Sequence, residues 1–135
     1  MILCDTSVIV GAINSRDHDH VQCVQSLQKL RHPPISTHAC IVEAMHLLKN
    51  FKGWAGQEIL LSWIENEFLR IYSARPEDDK RACALMRQYA DAPMDYADAM
   101  LVTAAESLGT TRILTLDRHF YAYRINDTTP FEILS

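Results

Sequence analysis

Residues 2–7 read Ile-Leu-Cys-Asp-Thr-Ser, and residues 113–117 read Ile-Leu-Thr-Leu-Asp. In each stretch a short apolar run ends at an aspartate, Asp5 in the first and Asp117 in the second. A brief apolar run bounded by polar residues is typical of a buried strand in a parallel sheet. Ligands of open α/β sheets bind outside the carboxyl ends of the strands, so both carboxylates are candidates for one site. An aspartate after a strand also commonly caps the next turn, and that alternative stays open for each residue alone.

The rest of the sequence alternates between helical and strand patterns. Apolar spacing and capping residues predict helices over about 8–13, 18–31, 38–50, 54–67, 76–89 and 95–108. Short strands are predicted at 2–4, 35–37, 69–72 and 112–116, and two further apolar pieces occupy 121–125 and 131–134. This alternation favours an α/β sandwich with a mainly parallel central sheet flanked by helices on both faces. We expect residues 1–135 to form a single domain.

Composition and charge exclude several classes of protein. With 48% hydrophobic and 22% charged residues, the chain is neither disordered nor fibrous. No apolar run approaches the roughly 20 residues of a membrane helix and the start lacks a basic segment, so we expect a cytoplasmic protein without membrane contact. The net charge of −4, with no basic tail and no Lys or Arg cluster, counts against holding nucleic acid by bulk positive charge.

The cysteines and tryptophans suggest buried residues rather than a site. No two cysteines form a C-x-x-C pair, and we expect all four to be small buried residues in a reducing cytoplasm. They are Cys4, Cys23, Cys40 and Cys83. Trp54 and Trp63 are also expected in the core, with a surface that meets another protein as the alternative.

Two acidic residues lie on helix faces that are otherwise apolar. Asp98 lies in the first turn of helix 95–108, and Glu43 lies early in helix 38–50. The apolar residues that share these faces are Leu101, Ala105 and Leu108 for Asp98, and Cys40, Leu47 and Phe51 for Glu43. A carboxylate directed toward the core without a Lys or Arg one turn away is costly to bury. A satisfied core carboxylate, or a cap favoured by the helix dipole, is the alternative for each.

The four acids Asp5, Glu43, Asp98 and Asp117 would together form a metal site if the fold brings them close. Two like charges at ~4 Å repel by about 4 kcal/mol at an effective dielectric near 20, so such a cluster must take up protons or cations. Ligands that are all oxygen select hard ions such as Mg²⁺ or Mn²⁺. Two divalent ions would offset the net charge of −4. Paired ions can activate a water and stabilise the leaving oxygen of a phosphodiester.

The order of these motifs resembles the PIN-domain nucleases, and among them the VapC-type toxins of bacterial toxin–antitoxin pairs. The matching segments are Leu3-Cys4-Asp5-Thr6-Ser7, Glu43, Met94-Asp95-Tyr96-Ala97-Asp98-Ala99 and Thr115-Leu116-Asp117-Arg118-His119-Phe120. No single segment is specific, but their order and spacing over residues 2 to about 125 are.

The resemblance implies a PIN-like sandwich and Mg²⁺- or Mn²⁺-dependent endonucleolytic cleavage of RNA. The implied catalytic and metal-binding residues are Asp5, Glu43, Asp98 and Asp117. Three residues would support this quartet or hold a water or phosphate, with helix capping as their alternative role: Asp95, Thr6 and Ser7. Arg118 is the candidate for contacting substrate, or else a structural partner of Asp117. The resemblance further implies a homodimer and a small antitoxin protein as partner.

Two other interpretations compete with the toxin. One is an aspartyl phosphoacceptor or phosphohydrolase, in which Asp5 or Asp117 attacks a phosphate. It would require a D-x-D arrangement or a second acid beside the first, and a Lys after a later strand, which this sequence lacks. The other is a catalytically silent binding module on the same fold, which uses the acidic pocket only for a structural ion. A nuclease with a housekeeping role in RNA processing also stays open.

Overall fold

Five short parallel strands form the central sheet of the computed structural model, which describes residues 1–134. With the two strands of a separate pair included, the strands in chain order are β1 (Leu3–Cys4), β2 (Ile35–Thr37), β3 (Arg70–Tyr72), β4 (Arg112–Leu114), β5 (Arg124–Ile125), β6 (Thr129–Pro130) and β7 (Glu132–Leu134). The sheet order is β3-β2-β1-β4-β7, and β5 and β6 form a separate antiparallel pair. Chain order therefore reverses at β1, whose neighbours are β2 and β4.

Six helices and one short 3₁₀ helix connect the strands. They are α1 (Thr6–Ile13), α2 (His20–Gln28), α3 (His38–Lys52), α4 (Trp54–Glu65), α5 (Pro76–Gln88), α6 (Tyr96–Leu108) and the 3₁₀ helix Arg118–Tyr121. Their ends follow local chemistry: the Thr37 hydroxyl accepts the Cys40 N–H at 3.2 Å, and Gly109 ends α6 at a φ of 69°. Within residues 1–134, none of these helices combines the length and apolar content that crossing a membrane requires.

Alternate residues of the central strands pack into two hydrophobic cores, one on each face of the sheet. Leu3 and Ile113 pack with α5 and α6 on one face of the sheet. Cys4 and Leu114, the next residue of each strand, pack with α1, α2 and α4 on the other. Because successive strand residues point to opposite faces, two residues per strand suffice to build both cores. The predicted parallel sheet with helices on both faces is confirmed.

Several details differ from the sequence prediction. Strand β4 ends at Leu114 rather than at residue 116, because Thr115 turns its side chain into a hydrogen bond with Asp5. Most of the piece predicted at 121–125 is not a strand, since the preceding turn is a 3₁₀ helix and only Arg124–Ile125 pairs. Trp54 is 65% exposed rather than in the core. Cys83 is also exposed, whereas the other three cysteines are buried as expected.

The contact between α1 and α2 depends on the absence of a side chain at Gly11. A methyl group built at this position would lie 2.7 Å from Cys23 Sγ, which is well inside van der Waals contact. Cys23 is only 1% exposed, so its sulfur has little room to move away. The glycine is therefore required by packing, although it weakens helix α1.

We expect Gly11→Ala to lower the free energy of unfolding by up to about 2 kcal/mol, because overpacking outweighs the roughly 1 kcal/mol gained in helix propensity. In a Cys23→Ala background the same substitution should be neutral or stabilising. Urea unfolding of the wild type, both single variants and the double variant measures this difference. An equal effect of Gly11→Ala in both backgrounds would contradict the contact.

Candidate active site

Asp5 is held where β1 meets α1. Its N–H donates to the Leu114 carbonyl at 3.0 Å, which continues the pairing of β1 with β4. Its Oδ1 caps α1 by accepting the Thr6 N–H at 2.8 Å. Its Oδ2 accepts the hydroxyls of Ser7 at 2.9 Å and Thr115 at 2.7 Å. Both oxygens are therefore fixed by neutral donors from two neighbouring strand ends, and Asp5 is both a cap and a site candidate.

The segment after β4 is tied to the start of α1 by two hydroxyls. Thr115 Oγ1 also accepts the Asp117 N–H at 3.0 Å, and Ser7 Oγ accepts the Leu116 N–H at 3.0 Å. Asp5 and Asp117 are thus linked through one threonine at the carboxyl ends of adjacent strands. Sequence reasoning did not single out Thr115, although a hydroxyl two residues before the aspartate was a readable signal.

Asp98 lies in the first turn of α6 and is buried, at 9% exposure. It forms a reciprocal cap with Asp95: the Asp98 N–H donates to Asp95 Oδ1 at 2.8 Å, and the Asp95 N–H donates to Asp98 Oδ2 at 3.1 Å. The hydroxyl of buried Tyr123 lies 3.3 Å from the same Oδ2 and also contacts the Pro93 carbonyl. The expectation that Asp98 points inward is confirmed, and Asp95 is the N-cap.

Burial and mutual repulsion make these carboxylates costly to ionise. Desolvation raises the pKa of Asp98 to about 7, and the nearby charges of Asp95, Asp5 and Asp117 act in the same direction. Desolvation also raises the pKa of Asp5, with a further contribution from Asp117, while its three hydrogen bonds oppose the shift. Within residues 1–134, the ion pairs of Arg side chains all involve other carboxylates.

Glu43 is placed differently from the prediction. It is half-buried rather than in the core, and Phe51, expected on the same buried face, is 56% exposed. The buried stripe of α3 runs instead through Cys40, Ile41, Ala44 and Leu48. The Thr6 hydroxyl donates to the Cys40 carbonyl at 3.3 Å and so joins α1 to α3 one turn before Glu43.

Asp117 faces its own 3₁₀ turn. It is half-buried, and its Oδ1 accepts the His119 N–H at 2.9 Å and lies 2.9 Å from His119 Nδ1. Arg118 is exposed and forms no ion pair with Asp117 in the described part of the chain, so the structural pairing considered for it is absent. His119 is the partner that the sequence did not indicate.

The donor set suits a hard divalent cation. Asp5, Asp98 and Asp117 offer carboxylate oxygens, and the charge of Asp117 raises the pKa of both Asp5 and Asp98. Within residues 1–134 none of the three forms an ion pair with Lys or Arg, although His119 Nδ1 lies 2.9 Å from Asp117 Oδ1. Their side chains do not converge on one point: in residues 1–134, no three acidic, His or Cys side chains are arranged to hold a metal ion directly. The hydrogen bonds above explain this, because each carboxylate is turned toward its own turn or cap.

A family model described as a PIN domain matches residues 2–126. The chain belongs to the PIN domain family. No curated protein sequence matches this PIN domain.

Solved structures share the fold of this PIN domain at low sequence identity. Mycobacterium tuberculosis VapC20, described as a sarcin-ricin loop cleaving toxin, has a TM-score of 0.86 and 15% identity, covering 96% of this chain and 100% of that one. A toxin–antitoxin complex from Klebsiella pneumoniae has a TM-score of 0.69 and 18% identity, covering 98% and 100%. FitAcB from Neisseria gonorrhoeae has a TM-score of 0.62 and 19% identity, covering 98% and 97%.

The raised pKa of Asp98 predicts that this PIN domain loses stability as pH rises when no divalent ion is bound. Between its ordinary pKa of 3.8 and about 7, the folded protein keeps a proton on Asp98 that the unfolded chain releases. The free energy of unfolding should therefore fall with pH across this window and level off above it. Thermal unfolding with EDTA at pH 5 and pH 7.5 measures the fall, which should be smaller in Asp98→Asn. Equal falls in both proteins would contradict the assignment.

Proposed function

We propose that this protein is a Mg²⁺- or Mn²⁺-dependent endoribonuclease and the toxin of a VapBC-type toxin–antitoxin pair, acting in the cytoplasm. One observation carries the proposal: the charges of Asp5 and Asp117, which follow β1 and β4, act on buried Asp98 at the start of α6, and none of the three forms an ion pair with Lys or Arg within residues 1–134. Asp5 and Asp98 are buried carboxylates that form no ion pair with Lys or Arg within residues 1–134, so they are costly to ionise, and a bound cation would offset their charge.

In this proposal the metal ligands are Asp5, Glu43, Asp98 and Asp117. Bound divalent ions would supply an activated water and would stabilise charge that develops on the leaving oxygen of RNA. Thr6, Ser7 and Thr115 fix the orientation of Asp5 through their hydrogen bonds.

Two further side chains complete the proposed site. Asp95 holds the first turn of α6, and with it Asp98, in place through the reciprocal cap. Arg118 is exposed beside Asp117 and is free to contact a phosphate at the edge of the site.

The choice of RNA and of a toxin rests on relatives. Membership of the PIN domain family supports a nuclease, and VapC20, with the same fold, is described as cleaving the sarcin-ricin loop. The related fold from Klebsiella pneumoniae occurs in a toxin–antitoxin complex. At 15% to 18% identity these structures support the fold, and the acidic cluster supports metal-dependent cleavage.

The wild type should cut a mixed pool of structured RNAs in the presence of Mn²⁺ or Mg²⁺. Asp98→Asn keeps the shape of the side chain but removes one charge of the quartet, so cleavage should fall by at least about 100-fold, the order expected when one essential electrostatic contact is removed. Gel analysis of the RNA products measures the loss. Thermal unfolding checks that Asp98→Asn remains folded.

Two controls show whether the loss of cleavage is specific to Asp98 and whether cleavage needs a metal ion. Glu65→Gln changes an exposed carboxylate at the end of α4 and should cut like the wild type. Addition of EDTA to the wild type should stop cleavage. Cleavage by Asp98→Asn at the wild-type rate would reveal a contaminant and contradict the proposal. Metal binding without cleavage of any RNA would favour the silent binding module, and phosphate trapped on an aspartate would favour the phosphoacceptor.

The proposal includes a homodimer and an antitoxin protein as partners. Helices α3 and α4 expose large apolar side chains, with Val42 at 70%, Phe51 at 56% and Trp54 at 65%. Exposed apolar groups of this size commonly mark contacts with other proteins. They support contacts with a second copy of the chain and with an antitoxin.

Light scattering tests both partners in one measurement. Alone, the protein should show twice its chain mass of 15.4 kDa. Co-expressed with the product of the neighbouring reading frame, it should elute as a larger complex that no longer cuts RNA. A mass of one chain would contradict the homodimer, and a separate elution of the two proteins would contradict the antitoxin. Neither result would affect the nuclease itself.

A further inference from the structure

A basic cavity lies along the amino ends of the strands and extends over one face of the sheet as far as Leu114 and Leu134. It has a volume of about 680 Å³, within the range of ligand sites. Four of the thirteen Lys and Arg residues line it: Lys29, Arg31, Arg70 and Arg112. No Asp or Glu is among the lining residues. These cations come from three separate segments of the chain, one of which holds both Lys29 and Arg31, so the sequence alone showed no basic cluster.

Most of these cations are not used by the fold. Lys29, Arg31 and Arg70 are exposed and form no ion pair within residues 1–134. Arg112 lies 3.7 Å from Glu132, and both side chains are about half exposed, so their attraction is weak.

Three arginines elsewhere in the chain have structural partners. Arg81 pairs with Glu106 at 2.8 Å and with Asp127 at 3.1 Å. Arg75 pairs with Asp78 at 3.4 Å, and Arg124 donates to the Tyr121 carbonyl at 2.8 Å. The cavity therefore gathers four cations, three of which form no ion pair within residues 1–134.

The spacing of the cavity's cations suits an extended ligand. Arg70 begins β3 and Arg112 begins β4, and these strands are three intervals apart in the sheet. At about 4.8 Å per interval, the two backbones are roughly 14 Å apart. Arginines separated by this distance suit several phosphates along an extended ligand better than one small anion. Leu30, Pro33 and Ile35 give the cavity an apolar wall against which a base can pack.

We propose that this basic cavity binds the phosphate backbone of RNA, as an anchor separate from the cleavage site. The choice of RNA rests on the proposed function; the anionic ligand rests on the cations alone. Three arginines favour phosphate, because the guanidinium fork binds two phosphate oxygens at once. An acidic protein segment would use the same charges, but it would leave the apolar wall without a planar base.

The test measures binding of a short fluorescein-labelled single-stranded RNA by anisotropy, with EDTA present to prevent cleavage. The variant Lys29→Gln/Arg31→Gln/Arg70→Gln should raise the Kd by about tenfold at low salt. Losing three phosphate contacts should also reduce the slope of log Kd against log salt by about 2, at roughly 0.7 per contact. The matched control Arg16→Gln/Lys49→Gln/Lys80→Gln removes the same charge outside the cavity and should change the Kd less than twofold.

Three outcomes would overturn the proposal. The first is equal weakening of RNA binding in both triple variants, or no weakening in either. The second is displacement of the RNA by poly-L-glutamate at equal charge, which would indicate an acidic protein as ligand. The third is displacement by pyrophosphate at a similar concentration, which would indicate a site for small phosphates.

The binding test and the cleavage test can each contradict one proposal without affecting the other. Binding is measured without divalent ions, so an RNA anchor would stand even if no RNA is cut. Cleavage by the wild type together with unchanged RNA binding in the cavity variant would overturn only the anchor. Circular dichroism of each triple variant confirms that it is folded, and all substituted positions are exposed.

Discussion

The parallel pairing of β1 with β4 is the constraint on which the rest of the molecule depends. It aligns Leu3 with Ile113 and Cys4 with Leu114, and one of these pairs lies in each of the two cores. It also brings the residues that follow each strand together, so that Thr115 donates to Asp5 across 110 positions of sequence at 2.7 Å. A sheet of two- and three-residue strands has few backbone bonds, and side-chain caps such as this one extend the pairing beyond the ladder.

The acids are kept at a thermodynamic cost. Asp5 caps α1 and Asp98 completes the reciprocal cap of α6, which stabilises the fold, but their burial near other carboxylates opposes ionisation. The same side chains therefore serve folding with their hydrogen bonds and leave their net charge unbalanced. A single ion pair with Arg would remove the imbalance, and the arginines that pair lie elsewhere, on Asp78 and Glu106 for example. Because the arginines pair with other carboxylates and leave Asp5 and Asp98 without an ion pair, a role for these two acids beyond structure is favoured.

Sequence patterns predicted the sheet, the helices and the position of Asp5 directly after β1, because apolar periodicity and turn residues are local signals. Asp117, predicted directly after a strand, lies three residues beyond the end of β4. They failed where three-dimensional packing decides. Glu43 was assigned to a buried face, yet the stripe through Ala44 and Leu48 is the one that meets the core. Periodicity gives a helix a face but does not determine which neighbouring element covers it. The ties made by Thr115 and the gathering of Lys29 and Arg70 depend on residues far apart in the chain, which no local pattern contains.

The distribution of charge resolves an apparent conflict between an acidic chain and a nucleic-acid substrate. A net charge of −4 describes the field far from the molecule, whereas binding depends on the potential at a surface within about 10 Å, the screening length at moderate salt. A strand of three residues spans roughly 10 Å, so Arg112 at the start of β4 and the acids beyond the end of that strand are separated by about one screening length. At that separation salt weakens the influence of one charged group on the other without removing it. A basic edge can hold phosphates without neutralising the carboxylates at the other, and the carboxylates remain available for cations.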